Sequence, residues 1–363
     1  MIQWEHMRLS SFIRKSESRV SKDSFSALDA LALCWTTYFS YEGVRFPIAA
    51  KELAFRPFAD ELWKRNQTFV PKETADFMDA FLHSPRYQDV VFLEAKEVRD
   101  EEKATQFFAF VFAVEDLIVL AFEGTDTSSL GWKEDFMLTY CEGIPSYDHA
   151  TAYAKDVLSR YEGDVILAGH SKGGNVATYV LSALEDDARI RKVYSFEGPG
   201  FYRRDIFKAH PERQSKIEKY VPQGSIVGVL LSDETKLHIV RSYDFGIFQH
   251  NAILWPIRGD HFLAVRKRTL FSHGAESAIN GWLEALSNEE KKRFTALFFD
   301  AFTRIGVDDF RPFFQQFLIR FPALSKVYRS MEKEDRALFR KVARTLFAES
   351  LTALLPKPKK KPA

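Results

Sequence analysis

The sequence has 363 residues, of which 46% are hydrophobic and 28% charged, and its formal net charge at pH 7 is +1. This composition excludes a disordered or fibrous chain and leaves room for one large globular domain or two. A net charge near zero gives no electrostatic basis for binding nucleic acid, so we expect no nucleic-acid partner.

The chain from residue 25 to residue 274 alternates strand and helix patterns, whereas residues 1–24 are polar and aperiodic and form a predicted N-terminal arm. Apolar side chains at helical spacing from Phe25 to Tyr38 predict an amphipathic helix. Strands that alternate with helices predict a mostly parallel sheet covered on both faces. The other predicted elements are strands over 106–114, 117–122, 165–168, 193–196 and 217–221 and a helix over 150–161.

After about residue 275 helix signals replace strand signals. Ser287 and Glu290 have the spacing of a capping box, and apolar residues follow at helical spacing. Two further helices are predicted over 308–321 and 335–354. We therefore expect a helical region over 275–355, docked on the sheet domain by its phenylalanine-rich faces, and a solvated basic tail over 356–363.

Cysteine content and apolar runs narrow the class of protein further. The two cysteines, Cys34 and Cys141, are too few for a disulfide framework and have no metal-binding spacing, so we expect no metal site. No apolar run has the length of a signal-peptide core or of a membrane span. These observations predict a cytoplasmic protein without a transmembrane segment.

Residues 165–175, V-I-L-A-G-H-S-K-G-G-N, place a serine between glycines where a predicted strand ends and a helix begins. Residues 169–173 match G-x-S-x-G, the strained turn that exposes the nucleophilic serine of α/β-hydrolases. Glycines lack a Cβ, so they let strand and helix approach closely through this turn. An ordinary turn in which Ser171 caps the helix is the alternative. The strand before the motif and the helix after it favour the nucleophile.

Further motifs resemble a bacterial branch of the class 3 lipase-like families, first catalogued as a domain of unknown function, in which the elbow G-H-S-K-G-G-N recurs. The resemblance extends from residue 25 to about residue 262. It implies an α/β-hydrolase with a mostly parallel sheet flanked by helices. The other motifs are S-A-L-D-A-L (26–31), A-F-E-G-T-D (121–126), G-W-K-E-D-F (131–136), S-F-E-G-P-G-F (195–201), Y-V-P-Q-G-S-I-V-G (220–228) and G-I-F-Q-H (246–250).

The resemblance also implies roles for single residues: Ser171 would be the nucleophile, His250 the general base and Thr125 part of the oxyanion hole. The elbow motif itself makes the backbone N–H of Lys172, directly after the serine, an oxyanion donor. An α/β-hydrolase places its histidine last in chain order, which leaves His250 and His261 as candidates on the sequence alone.

The acid of the predicted triad is missing from its usual place. Class 3 lipases resemble this chain around Ser225 but carry an aspartate there. Asp233 is the nearest downstream carboxylate and is our predicted acid, with Glu234 and Asp244 as alternatives. Asp233 and Glu234 would serve equally well as plain turn residues. Loss of the acid would weaken a serine hydrolase without abolishing its activity.

Other side chains near these motifs carry weaker expectations. Glu123 stands where the related families have an arginine, so any ion pair of that arginine is lost or reversed. Trp132 and Asp135 are expected to be scaffold residues that fix the loop after Thr125. The Lys172 side chain could attract an anionic acyl group, but we expect it to be solvated at the start of its helix.

Together these assignments predict a lipase- or esterase-like serine hydrolase that cleaves a carboxylic ester or thioester through an acyl-enzyme. The substrate would be a small molecule or a lipid-like ester, and no metal or organic cofactor is implied. The competing hypothesis is a catalytically silent hydrolase fold that acts as a binding or scaffold module through its helical region. The displaced acid favours this alternative, whereas the intact serine motif disfavours it.

Overall fold

A computed structural model describes residues 7–39, 41, 43–55, 72–203, 205–231, 234–310, 313 and 317–354. Its centre is an eight-stranded sheet whose strands follow one another in chain order, from β1 to β8. The strands are β1 (Ile48–Ala49), β2 (Val91–Asp100), β3 (Thr105–Val114), β4 (Leu117–Phe122), β5 (Asp164–His170), β6 (Ile190–Phe196), β7 (Ile217–Pro222) and β8 (Leu237–Val240).

The direction of the strands divides this sheet in two. Strands β1 to β4 pair antiparallel, and β4 to β8 pair parallel. Because the carboxyl ends of parallel strands meet at one edge, the residues that follow β4, β5, β6 and β7 are gathered there. A separate antiparallel pair is formed by β9 (Ile257–Arg258) and β10 (His261–Phe262).

Helices cover both faces of the sheet. Phe110 and Phe112 of β3 contribute to the core on one face, and Ala109 and Val111 to the core on the other, as the two-residue period of a strand requires. The helices described are α1 (Leu9–Lys15), α2 (Ala27–Trp35), α3 (Ala50–Phe55), α4 (Lys72–His83), α5 (Ser129–Met137), α6 (Pro145–Arg160), α7 (Lys172–Ala183), α8 (Leu270–Glu284), α9 (Asn288–Arg304), α10 (Phe317–Ser330) and α11 (Lys333–Leu354).

The predicted elements of the sheet domain are confirmed to within a few residues. The strands predicted over 117–122 and 217–221 are β4 and β7, and the other three predicted strands are β3, β5 and β6. The helix predicted from residue 150 begins earlier, at Pro145, where proline suits the first helical turn. The fold is therefore the predicted α/β-hydrolase, with a mostly parallel sheet between helices.

The prediction that residues 1–24 are aperiodic is wrong for residues 9–15. They form α1, and its Leu9, Phe12 and Ile13 are buried in the core that α2 and α4 share. These three side chains do follow the i, i+3, i+4 spacing of a helix. One such repeat is too short to stand out in the window of 11–18 residues that a periodicity argument needs.

The region after residue 275 is helical, as predicted. Ser287 and Glu290 make both hydrogen bonds of the capping box, and no strand of either sheet occurs beyond residue 275 in the described ranges. The helix predicted over 335–354 is α11, whereas only the end of the one predicted over 308–321 falls in α10, and part of it lies outside the described residues. The division of the chain into domains stays a prediction.

A phenylalanine contact and two backbone hydrogen bonds join the helical region to the sheet domain. The ring of Phe136 in α5 stacks on that of Phe298 in α9, with centroids 5.7 Å apart. The backbone N–H of Ser129 donates to the carbonyl of Asp308 at 2.8 Å, and that of Phe310 donates to Thr127 at 2.8 Å. The segment that follows β4 is thus held from outside by the helical region. Within the described residues, no helix has both the length and the apolar character needed to cross a bilayer.

Candidate active site

Ser171 lies between β5 and α7 in a strained backbone conformation. Its φ of 57° and ψ of −130° belong to a region that residues with a side chain rarely adopt. The Ser171 side chain makes no capping hydrogen bond to α7, which contradicts the alternative of an ordinary helix-capping turn. Its backbone N–H donates to the carbonyl of Phe196 at 2.9 Å, so the end of β6 holds the turn in place.

The glycines on either side of Ser171 are required by close backbone contacts. A Cβ on Gly169 would overlap the carbonyl group of Gly173, and a Cβ on Gly173 would overlap the carbonyl oxygen of Phe122 at the end of β4. Strands β4 and β5 and the first turn of α7 therefore meet through bare backbone. The sequence pattern has this physical basis: only glycine allows the serine turn to fit against its neighbours.

Replacing Gly173 with alanine should destabilise the protein by about 1–3 kcal/mol or more, since the added methyl group has to displace backbone rather than a flexible side chain. The displaced turn should also lower any activity that depends on Ser171. Gly143→Ala is the matched control, because a Cβ there would lie 3.6 Å from its nearest neighbour, Tyr147. Thermal unfolding of the two variants is the measurement, and equal melting temperatures would contradict this account of the turn.

His250 ends a 3₁₀ turn, Gly246–His250, in the loop after β8. Its backbone carbonyl accepts a hydrogen bond of 2.7 Å from Nε2 of His170, and the two imidazole centroids are 4.5 Å apart. Nδ1 of His170 lies 2.8 Å from the hydroxyl of Tyr38. Burial lowers the pKa of His170 to about 4, so its ring is neutral, donates through Nε2 and accepts from Tyr38 through Nδ1. His170 thereby fixes the position of the His250 loop.

The His250 side chain is a neutral imidazole. Burial, with a smaller contribution from His170, lowers the pKa of His250 well below its usual range. Its Nδ1 is buried and has no hydrogen-bond partner. Ser171 and His250 line the same cavity, but no hydrogen bond joins their side chains in the described part of the chain.

The segment after β4 lies directly against Ser171. A Cβ on Gly124 would be only 3.1 Å from the Cβ of Ser171, and the next residue, Thr125, lines the same cavity as Ser171. The hydroxyl of Thr125 donates to Asp135 at 2.5 Å, a contact that fits the expectation that Asp135 is a scaffold residue of this loop. Lys172 is the first residue of α7, where backbone N–H groups have no partner within the helix.

The prediction that the Lys172 side chain is solvated is wrong. The side chain is 1% exposed, and its Nζ donates to Glu134 at 2.7 Å and to the carbonyl of Gln106 at 2.8 Å. The first turn of α7 packs on β3 and α5, and the sequence gives no sign of that packing because it comes from distant parts of the chain. Lys172 neutralises Glu134 inside the protein and is not available to a substrate.

Glu123 lies beside the serine turn and lines the cavity, where the resemblance implies an arginine. Its carboxylate accepts a hydrogen bond of 2.7 Å from Nε2 of Gln106. Burial, followed by repulsion from Asp126, raises the pKa of Glu123 well above its usual range, which favours the neutral acid. Where the resemblance implies a cationic arginine, this chain therefore has a carboxyl group in the cavity wall.

The cavity that contains Ser171 has a volume of about 1340 Å³. The loop that carries His250 exposes two apolar side chains of the cavity lining to solvent, Ile247 and Phe248. Aromatic rings form much of the described lining: Trp35, Tyr38, Phe39, Tyr41, Phe46, Phe108 and Phe248. The described lining also includes several charged side chains: Glu73, Glu97, Arg99, Glu123, Asp126 and Asp244.

The structure separates the two histidine candidates. His250 lines the cavity with Ser171, whereas His261 lies in β10 and is absent from the described lining. The side chain of His261 is 68% exposed and lies 2.9 Å from Asp260. His261 is thus placed as a surface residue.

The acid candidates are not brought to His250. Asp233 lies outside the described residues, so its assignment stays a prediction. Glu234 is exposed to solvent. Asp244 lines the cavity but does not bond to Nδ1 of His250, which has no partner.

One buried carboxylate near these groups was missed by the sequence analysis. Glu197 follows β6 directly, is 1% exposed and accepts a hydrogen bond of 2.8 Å from the hydroxyl of Ser225. The available signal was the motif S-F-E-G-P-G-F, in which a carboxylate ends an apolar strand. Within the described residues, no group of three or more His, Cys, Asp or Glu side chains is arranged to hold a metal ion.

A family model described as Mbeg1-like matches residues 81–300, which is more than half of the chain. The chain belongs to the Mbeg1-like family. This is a lipase-like α/β-hydrolase family, so the resemblance found in the sequence is confirmed. The Mbeg1-like region contains the serine turn, the segment after β4 and the His250 loop.

Neither the solved structures nor the curated proteins extend the family assignment. A crystal structure of a mutant form of MDLA from Penicillium cyclopium is similar to this Mbeg1-like chain, with 12% sequence identity and a TM-score of 0.38. The match covers 60% of this chain and 79% of that one. No curated protein matches the chain significantly.

Proposed function

We propose that this protein is a serine hydrolase that cleaves a carboxylic ester or thioester through an acyl-enzyme on Ser171. The observation that carries the proposal is the strained backbone of Ser171 at a strand–helix junction, in a cavity that His250 also lines. A strained conformation costs of order 1–3 kcal/mol and persists where it serves a function. Here it supports the view that the turn presents the serine hydroxyl to a substrate.

The first half of the reaction transfers the acyl group to the protein. Oγ of Ser171 attacks the carbonyl carbon of the substrate while Nε2 of His250 takes the hydroxyl proton. The neutral state of the buried His250 ring supports this role, because only a neutral imidazole accepts a proton. Collapse of the tetrahedral intermediate breaks the bond to the alcohol or thiol, which leaves with the proton from His250.

The second half releases the acid. A water molecule gives its proton to His250 and attacks the acyl-serine, and the returning proton restores the Ser171 hydroxyl. In both halves the negative charge develops on the carbonyl oxygen. The backbone N–H of Lys172 and the Thr125 segment are our proposed donors to that oxygen, supported by their positions after and beside the serine turn.

The cavity wall supports a substrate with an apolar acyl group. Seven aromatic side chains contribute to its described lining, and burial favours the neutral form of Glu123 there. The exposed apolar side chains of the His250 loop, Ile247 and Phe248, add to this surface. We therefore propose a small-molecule or lipid-like ester rather than a strongly charged one.

A series of p-nitrophenyl esters of increasing acyl length tests this function directly. We expect turnover with release of p-nitrophenol, an initial burst if the acyl-enzyme accumulates, and values of kcat/KM that rise with chain length because the aromatic wall gains contact. The same series on thioesters tests the second leaving group. A folded protein that turns over none of these compounds would contradict the proposal.

A further inference from the structure

Two complementary polar atoms are buried without a partner near the serine turn. One is Nδ1 of His250, which carries the proton when Nε2 acts as the base, and the other is Oε2 of Glu197. A buried donor or acceptor that forms no hydrogen bond destabilises the folded protein. Glu197 also has a φ of 53°, a second strained residue next to Ser171. Such costs at one residue that lines the Ser171 cavity and at another that directly follows β6 point to a shared function.

A continuous set of contacts connects Glu197 to the His250 loop. Oε1 of Glu197 accepts from the hydroxyl of Ser225. The residue before Ser225, Gly224, donates its backbone N–H to Oε1 of Gln249 at 3.1 Å, and Gln249 directly precedes His250. Glu197 itself follows Phe196, whose carbonyl holds the backbone of Ser171. The carboxylate is thus tied to the nucleophile on one side and to the base on the other.

The position of Ser225, just after the end of β7, shows what lies beside the Glu197 carboxylate. The first side-chain atom beyond the Cβ of residue 225 lies 2.8 Å from the Glu197 carboxylate. A carboxylate on residue 225, after the end of β7, would therefore lie close to the one that Glu197 supplies from the end of β6. The Ser225 hydroxyl then serves as a donor that orients it.

We propose that Glu197 is the positioning residue for His250 and accepts a hydrogen bond from its Nδ1–H. This inference rests on the proposed hydrolase function. In that role Glu197 fixes the His250 tautomer with Nε2 free to face Ser171 and stabilises the imidazolium that forms, while the proton stays on His250. No hydrogen bond joins the two groups in the structure, and catalytic hydrogen bonds in free enzymes are often long until substrate binds.

The ionisation of Glu197 is consistent with this role. Burial raises its pKa to about 7, and the hydrogen bonds from Gly228 and Ser225 oppose that effect. A carboxyl group with such a pKa gains from a cationic neighbour. The imidazolium formed during catalysis supplies one.

Glu197→Gln is the test, because the amide keeps the shape and the acceptor for Ser225 but cannot stabilise an imidazolium. With a p-nitrophenyl ester we expect kcat to fall on the order of 10²–10⁴-fold, as when such an acid is replaced by its amide in serine proteases, with little change in KM or melting temperature. Ser225→Asp in the glutamine background should restore part of kcat, since it returns a carboxylate to nearly the same space. Glu234→Gln, at an exposed carboxylate of the β7–β8 connection, should behave as wild type.

A proton NMR measurement gives a readout independent of turnover. When the wild-type protein binds an alkyl boronic acid, a mimic of the tetrahedral intermediate, the Nδ1 proton of His250 should move far downfield, and this resonance should be missing in His250→Ala and Glu197→Gln. If the glutamine variant does not fold, Glu197→Asp should shift this resonance, and Asp260→Asn, at an exposed carboxylate, should leave it unchanged. Loss of kcat in Asp233→Asn but not in Glu197→Gln would overturn the inference, as would a glutamine variant with wild-type kcat. A wild-type protein that is inactive on every ester would instead contradict the proposed function. The NMR measurement would still decide whether His250 and Glu197 form a hydrogen bond.

Discussion

Replacing Ser171 with alanine should abolish ester hydrolysis while the protein stays folded. Free serine is a poor nucleophile at neutral pH, so its activity depends on the base and oxyanion donors around it. Alanine has no nucleophilic atom that could take its place. Loss of a catalytic serine costs on the order of 10⁶ in kcat in well-studied hydrolases. The melting temperature should change little, because the Ser171 side chain makes no capping hydrogen bond that alanine would lose. Turnover of p-nitrophenyl esters and thermal unfolding, measured on the same preparation, check both expectations.

Ser182→Ala is the matched control for this variant. Ser182 lies in the same helix, α7, and its hydroxyl donates only to the nearby carbonyl of Tyr179. It should retain wild-type turnover. If the two alanine variants lose activity equally, or if Ser171→Ala retains it, Ser171 is not the nucleophile.

The second large effect concerns the base: His250→Ala should remove nearly all turnover, whereas His261→Ala should leave most of it. His250 lines the cavity as a neutral imidazole, and His261 is a surface side chain beside Asp260. Removing a general base costs several orders of magnitude in kcat, on the order of 10⁴–10⁶, whereas an exposed histidine contributes little.

The comparison of the two histidine variants is made by kcat/KM with one activated ester. Circular dichroism checks that each variant is folded, which matters because the carbonyl of His250 anchors His170 and the loop. Alanine keeps that carbonyl, so the anchor remains. The reverse order of effects, with His261→Ala inactive, would show that the base has been assigned to the wrong loop.

The sequence predicted most of the sheet because its parallel strands are buried on both faces and read as short apolar runs. Strands β4 and β5 are examples. Strand β2 (Val91–Asp100) was not predicted, because its charged residues, at positions 94, 96, 97, 99 and 100, break the apolar–polar alternation of a strand. Helix α1 was missed for a different reason: its apolar residues make only one helical repeat, which is too short to recognise in the sequence.

In the candidate site, some features follow from neighbouring residues in the sequence and others from residues far apart in the chain. The serine turn is encoded within five residues, and the structure gives its backbone strain and glycine contacts a direct physical explanation. The burial of Lys172 and the position of Glu197 depend on packing against residues remote in the chain. A single sequence does not show which distant residues come into contact. The sequence analysis therefore placed Lys172 in solvent and overlooked Glu197.

The most direct test of the account is covalent labelling of the wild-type protein with a fluorophosphonate, followed by peptide mass spectrometry. Such a probe reacts with a serine only where a base and an oxyanion hole activate it. We predict a single adduct, on Ser171, and its loss in Ser171→Ala and His250→Ala. An adduct on another serine, or a folded protein that takes up no label and hydrolyses no ester or thioester, would contradict the account and favour a catalytically silent fold that acts as a binding module.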